Sequence, residues 1–110
     1  MKILIAEDDV LTRMILEKNL QKARYEVISV GDGTRALEEL ARVDPPRLAL
    51  LDWVMPQKDG VDVCREVRLN VERPYTYLIL LSSKESKQEI VQGLEAGADD
   101  YLTKRMIPKN

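Results

Sequence analysis

Five short apolar runs, each separated from the next by a stretch of helical spacing, set the tightest limit on how this chain can fold. The runs are Lys2–Ala6, Glu26–Val30, Leu48–Asp52, Tyr77–Ser82 and residues 100–104. Most are near-continuous in Ile, Leu and Val, the mark of parallel strands covered on both faces. Between them, Leu11, Met14, Ile15 and Leu20 predict a first helix, and Ala36, Leu37, Leu40 and Ala41 a second. Val63, Cys64 and Val67 predict a third, and Ile90, Val91 and Leu94 a fourth. Gly31-Asp32-Gly33 stands before the second helix, Pro45-Pro46 after it, and Gly97 closes the fourth.

Strict alternation of strand and helix implies right-handed crossovers and a parallel sheet with helices on both faces. The expected class is α/β: a flavodoxin-like, doubly wound five-stranded parallel sheet with strand order 2-1-3-4-5. A chain of 110 residues holds one such domain and not two.

Composition narrows the functions. Seventeen Lys and Arg against nineteen Asp and Glu leave a net charge of −2, which argues against a basic nucleic-acid surface. The absence of His removes the commonest acid–base group and transition-metal ligand. Cys64 is the only cysteine, so no internal disulfide or CxxC motif exists, and its setting in VDVCREV predicts a buried thiol. No apolar run approaches the ~18 residues of a membrane span. The first run is too short for a signal peptide core, so the expected location is cytoplasmic.

In a doubly wound sheet the binding site lies beyond the carboxyl ends of the strands, where strand order reverses. Here the first strand leads into Glu7-Asp8-Asp9, the third ends in Asp52, the fourth in Ser82-Ser83 and the fifth in Lys104. Any one of these acids alone reads equally well as a helix cap or a solvated loop residue. Their convergence is the stronger signal. Several carboxylates together repel unless a cation intervenes, and an all-oxygen donor set selects Mg²⁺, Mn²⁺ or Ca²⁺ over zinc. A metal-bound carboxylate, a hydroxyl and an ammonium form a phosphoryl-transfer constellation: Asp52 as nucleophile, with Ser82 and Lys104 on the phosphoryl oxygens.

These residues resemble the receiver domain of two-component response regulators, over essentially the whole chain. The stretches ILIAEDD, DWVMPQKDG, LLSSK and GLEAGADDYLTK carry the likeness, and their order and spacing make it specific. The resemblance implies phosphorelay signalling, with Asp52 as phospho-acceptor and Mg²⁺, or Mn²⁺, as the cofactor. It implies Asp8, Asp52 and the Val54 backbone carbonyl as metal ligands, Glu7 acting through water, and Asp9 as a further acid of the pocket. Ser82 matches the hydroxyl that meets the phosphoryl group, Lys104 the pairing lysine, and Tyr101 an aromatic switch, whose plainer reading is a half-buried strand tyrosine. The implied partners are a histidine kinase or phosphotransfer protein, with a C-terminal output domain or a homodimer beyond that. The implied role is a signalling acceptor that assists its own phosphorylation and dephosphorylation, not an enzyme with an external substrate.

Two departures from the family stand out. Arg105 and Met106 follow Lys104 where Pro and an aromatic are usual, and a fifth helix is apparently missing before Asn110. A non-proline cis bond costs about 2.5–4 kcal/mol, so Lys104–Arg105 is expected to be trans. Pro108 disfavours a closing helix, so the face carrying the first helix is expected to be partly bare, as in a receiver truncated at its C-terminal end. Gly60, closing the loop after Asp52, is a candidate for a positive φ. Two rivals remain weaker. Gly31-Asp32-Gly33-Thr34-Arg35-Ala36 fits a dinucleotide fingerprint, but it follows the second strand and not the first. An aspartyl-phosphate hydrolase usually needs an acid where Val54 stands.

Overall fold

The computed structural model describes residues 1–70, 72 and 74–107; Pro108 and Asn110, which entered the reading above, lie outside them. Strands β1 (Lys2–Ala6), β2 (Glu26–Val30), β3 (Leu48–Asp52), β4 (Tyr77–Ser82) and β5 (Asp100–Thr103) alternate with helices α1 (Val10–Lys22), α2 (Gly33–Leu40), α3 (Gly60–Leu69) and α4 (Lys87–Glu95). All neighbouring strands pair in parallel, in the order β2-β1-β3-β4-β5. The expected class and strand order are those observed. The fifth strand is one residue shorter than predicted, because Lys104 opens a 3-10 turn, Lys104–Met106.

Period-two alternation sends the central strands' side chains to opposite faces of the sheet. Leu4, Ala6, Ala49, Leu51, Leu78 and Leu80 meet residues of α2 and α3 in the larger core. Ile5, Leu50 and Leu81 face the other way and meet Leu16 of α1 in a smaller one. Beside Leu16 an apolar groove of about 250 Å³ runs along Leu20, Leu50, Leu81, Leu102 and Ile107.

The helix ends follow ordinary capping chemistry. Asp9, Asp32, Asp59 and Ser86 each accept a hydrogen bond from the backbone N–H three residues on. Gly97, at φ 120°, follows the end of α4 as expected. The apolar faces of two helices differ from the sequence reading. In α1, Leu11 and Met14 are exposed and Leu16 is the buried residue. In α4, Val91 and Leu94 are partly exposed and Gly93 is buried. A β-carbon on Gly93 would lie 2.7 Å from Leu80 Cδ1, so its hydrogen lets α4 settle on the sheet. Gly60 also departs from expectation: its φ is not positive. Glycine is needed there for a different reason, since a β-carbon would sit 2.4 Å from the Asp52 carbonyl oxygen.

Candidate functional site

Parallel pairing brings the ends of β1, β3 and β4 to one edge of the sheet, and with them their polar residues. Glu7 is fully buried, Asp52 is 3% exposed and Ser82 2%. Ligand oxygens of Glu7, Asp8 and Asp52 all lie within 4.8 Å of one another. Lys104, swung inward by the 3-10 turn, places Nζ 3.0 Å from Glu7 Oε1 and 3.1 Å from Asp52 Oδ2. Two carboxylates thus share one ammonium, and a third, that of Asp8, lies close to both.

Electrostatics follow from that crowding. Burial, together with the hydrogen bond and charge of Glu7, pushes the Asp52 carboxyl up to about 7 against the pull of Lys104. Burial works against charge on Lys104, but its contacts with Glu7 and Asp52 outweigh it and hold the ammonium above the ordinary lysine range. Glu7 Oε2 accepts from the Asp9 N–H, whereas Oε1 has the lysine charge nearby but no aligned hydrogen-bond donor. A buried carboxylate oxygen left short of a donor, in an acidic all-oxygen cluster, suits a hard divalent cation.

The remaining candidates occupy different places. Asp9 is turned to the helix, accepting from Thr12 N at 2.9 Å and Thr12 Oγ1 at 2.6 Å, and these bonds lower its pKa. It stands outside the cluster formed by Glu7, Asp8 and Asp52. Val54 presents its side chain to solvent. Ser82 Oγ accepts from Lys84 N at 3.0 Å. Tyr101 is half-buried, its hydroxyl donating to the Lys84 carbonyl at 2.6 Å. No peptide bond among the described residues is cis, so Lys104–Arg105 is trans as expected. Sequence reasoning missed Arg13, whose Nη1 donates to the Glu7 carbonyl at 2.9 Å and pins the acidic turn. Only its place one helical turn past Asp9 hinted at that. The glycine-rich turn of the dinucleotide rival serves instead to start α2 and admit the Lys58 carbonyl, which a β-carbon on Gly33 would strike at 2.0 Å.

A doubly wound sheet with a buried, lysine-paired aspartate and acids at its switch point defines a receiver-type signalling module. The model of the response regulator receiver domain matches residues 3–110, and the chain belongs to that family. Its place is therefore in phosphorelay signalling. Among solved structures, the BeF3-activated N-terminal receiver domain of Klebsiella pneumoniae RstA is 35% identical, with TM-score 0.87, 98% of this chain covered and 89% of that one. Thermotoga maritima DrrB, an OmpR/PhoB homologue, is 30% identical with TM-score 0.84; the match covers 98% of this chain and 47% of that longer one. The Mn²⁺-bound form of the response regulator Rcp1 is 25% identical with TM-score 0.83, covering 93% and 79%. No helix among the described residues is long and apolar enough to cross a membrane.

Proposed function

We propose that the chain is a phospho-acceptor switch in which Asp52 takes a phosphoryl group from a phosphohistidine of a histidine kinase or phosphotransfer protein, with Mg²⁺ as cofactor and Mn²⁺ as a substitute. The observation that carries this reading is the buried Asp52 carboxylate, 3.1 Å from the Lys104 ammonium and within the acidic cluster. Asp52 oxygen attacks phosphorus as the phosphorus–nitrogen bond breaks and the imidazole leaves, giving an aspartyl phosphate. Lys104 and the Ser82 hydroxyl serve the phosphoryl oxygens as charge and hydrogen-bond partners. Asp8, Asp52 and the Val54 carbonyl would hold the cation, with Glu7 acting through water and Asp9 at the margin. When bound, it supplies positive charge to a phosphoryl oxygen. Tyr101, tied to the Lys84 carbonyl beside Ser82, is the switch residue in this reading.

Intact-mass spectrometry tests it. Acetyl phosphate with Mg²⁺ should add one phosphoryl group, Asp52→Asn should abolish the gain, and Asp8→Asn should weaken metal binding. An unchanged gain in Asp52→Asn removes the assignment. A kinase-fed acceptor of this kind goes with a cytoplasmic location. The apolar groove beside Leu16 and the length of DrrB support an output segment after the receiver in a longer parent, with a homodimer as the alternative cover. Extension by a native helix should then raise thermal stability and reduce self-association. A stable, strictly monomeric 110-residue chain in light scattering and melting contradicts that part.

A further inference from the structure

The segment that carries Lys104 and the loop that follows Ser82 are held to each other by two side-chain contacts. Loop 83–86 joins β4 to α4 and contains Lys84 and Glu85. In one, the Tyr101 hydroxyl donates to the Lys84 carbonyl at 2.6 Å. In the other, Arg105 Nε lies 2.8 Å from Glu85 Oε1. Arg105 directly follows Lys104 within the 3-10 turn, and Glu85 is three residues past Ser82. The pair therefore spans from the element that aims the ammonium to the loop that follows the hydroxyl. The Lys84 ammonium cannot take Arg105's part, because it is engaged by Glu89 at 3.2 Å and lies over the Trp53 ring.

We propose that Arg105 is a positioning residue that, through Glu85, clamps loop 83–86 to the Lys104 turn and so keeps Ser82 and Lys104 in register around Asp52. The rate consequence rests on the phospho-acceptor reading; the clamp itself does not. An exposed pair acts weakly and is screened by salt, so the effect on phosphoryl uptake is about two- to fivefold.

The experiment compares wild type, Glu85→Ala, Arg105→Ala and the swapped double variant E85R/R105E, with thermal melting as the check on folding. Two readouts are taken at about 50 and about 500 mM KCl, between which the Debye length falls from roughly 14 Å to roughly 4 Å. Amide hydrogen exchange of loop 83–86 is measured without metal or phosphodonor. The rate of mass gain is measured with acetyl phosphate and Mg²⁺. Faster loop exchange and slower uptake in each single variant, both restored by the swap and both flattened at high salt, support the clamp. Unchanged loop exchange in the single variants, or a swap that restores nothing, overturns it. If wild type takes up no phosphoryl group, the phospho-acceptor reading fails, and loop exchange alone still decides the clamp.

Discussion

Trp53 and Tyr101 meet edge to face, with ring centroids 6.1 Å apart and planes inclined by 74°. The contact places a fluorophore between the proposed acceptor Asp52, its immediate chain neighbour, and the proposed switch residue. The Lys84 ammonium lies 5.6 Å from the indole centroid on a further side. Trp53 is the only tryptophan, so its emission reports on this one neighbourhood. Titration with Mg²⁺ should change it, because a divalent charge arrives beside the ring. Asp8→Asn should shift that titration to higher concentration. A flat titration through millimolar Mg²⁺ counts against the site.

The raised pKa of Asp52 makes metal-free stability depend on pH. The native state binds this proton more tightly than the unfolded chain does, whose aspartates titrate near 3.8. The stabilisation is complete below that value and is lost as pH rises through about 7. The chain has no His to obscure the window from pH 5 to about 7. Asp9 and Glu89, whose pKa values are lowered, act only at more acidic pH. Urea melts without divalent cations should therefore show stability falling between pH 5 and 8, and Asp52→Asn should flatten the trend.

Gly60→Ala should destabilise the fold through contact, not through backbone strain. Its β-carbon would press 2.4 Å from the Asp52 carbonyl oxygen, a rigid backbone atom with nowhere to move. Overpacking of this kind costs about 1–3 kcal/mol. Urea denaturation gives the value, and an unaltered midpoint would refute the contact.

Arg68 ties the far end of the sheet. Its guanidinium donates to the Gly97 carbonyl at 2.9 Å, the Thr76 carbonyl at 2.9 Å and Asp99 Oδ2 at 2.6 Å, and it lies over the Tyr75 ring. Arg68→Ala takes the neighbouring charge from the part-buried Asp99, which keeps only the Leu78 N–H and the Tyr75 hydroxyl, and removes a donor from two carbonyls. The expected loss is about 1–3 kcal/mol in chemical denaturation. Arg68→Lys should recover only part of it, since an ammonium cannot present the same fork.

The sheet and the cluster were legible for one reason: apolar strands announce themselves, and a polar residue closing such a strand can only emerge at the carboxyl edge. Asp52 and Ser82 follow directly from that rule. Helix faces were less legible. In α1 every turn carries apolar residues, so spacing alone could not select Leu16 over Leu11 and Met14. In α4 the buried position is Gly93, which a search for large apolar side chains passes over. Asp9 reads as one acid among three until the backbone shows it capping α1. The Arg105–Glu85 contact joins positions twenty apart in the chain; Arg105 stands out only as a departure after Lys104, and nothing local marks Glu85 as its partner.

The unequal division of the core means that the acidic cluster sits on a seam. Asp52 belongs to a strand anchored in the larger core, whereas Asp8 leads into α1, which packs on the smaller core through buried Leu16 and partly buried Leu20. Helices held by few apolar contacts are the ones that open locally at least cost. A cation gripped by both carboxylates would act as a fastener between a firm half of the molecule and a loose one. Amide exchange along α1 should slow on adding Mg²⁺ far more than exchange in β3 or α3, so that occupancy of the site is written into how tightly its first helix is held.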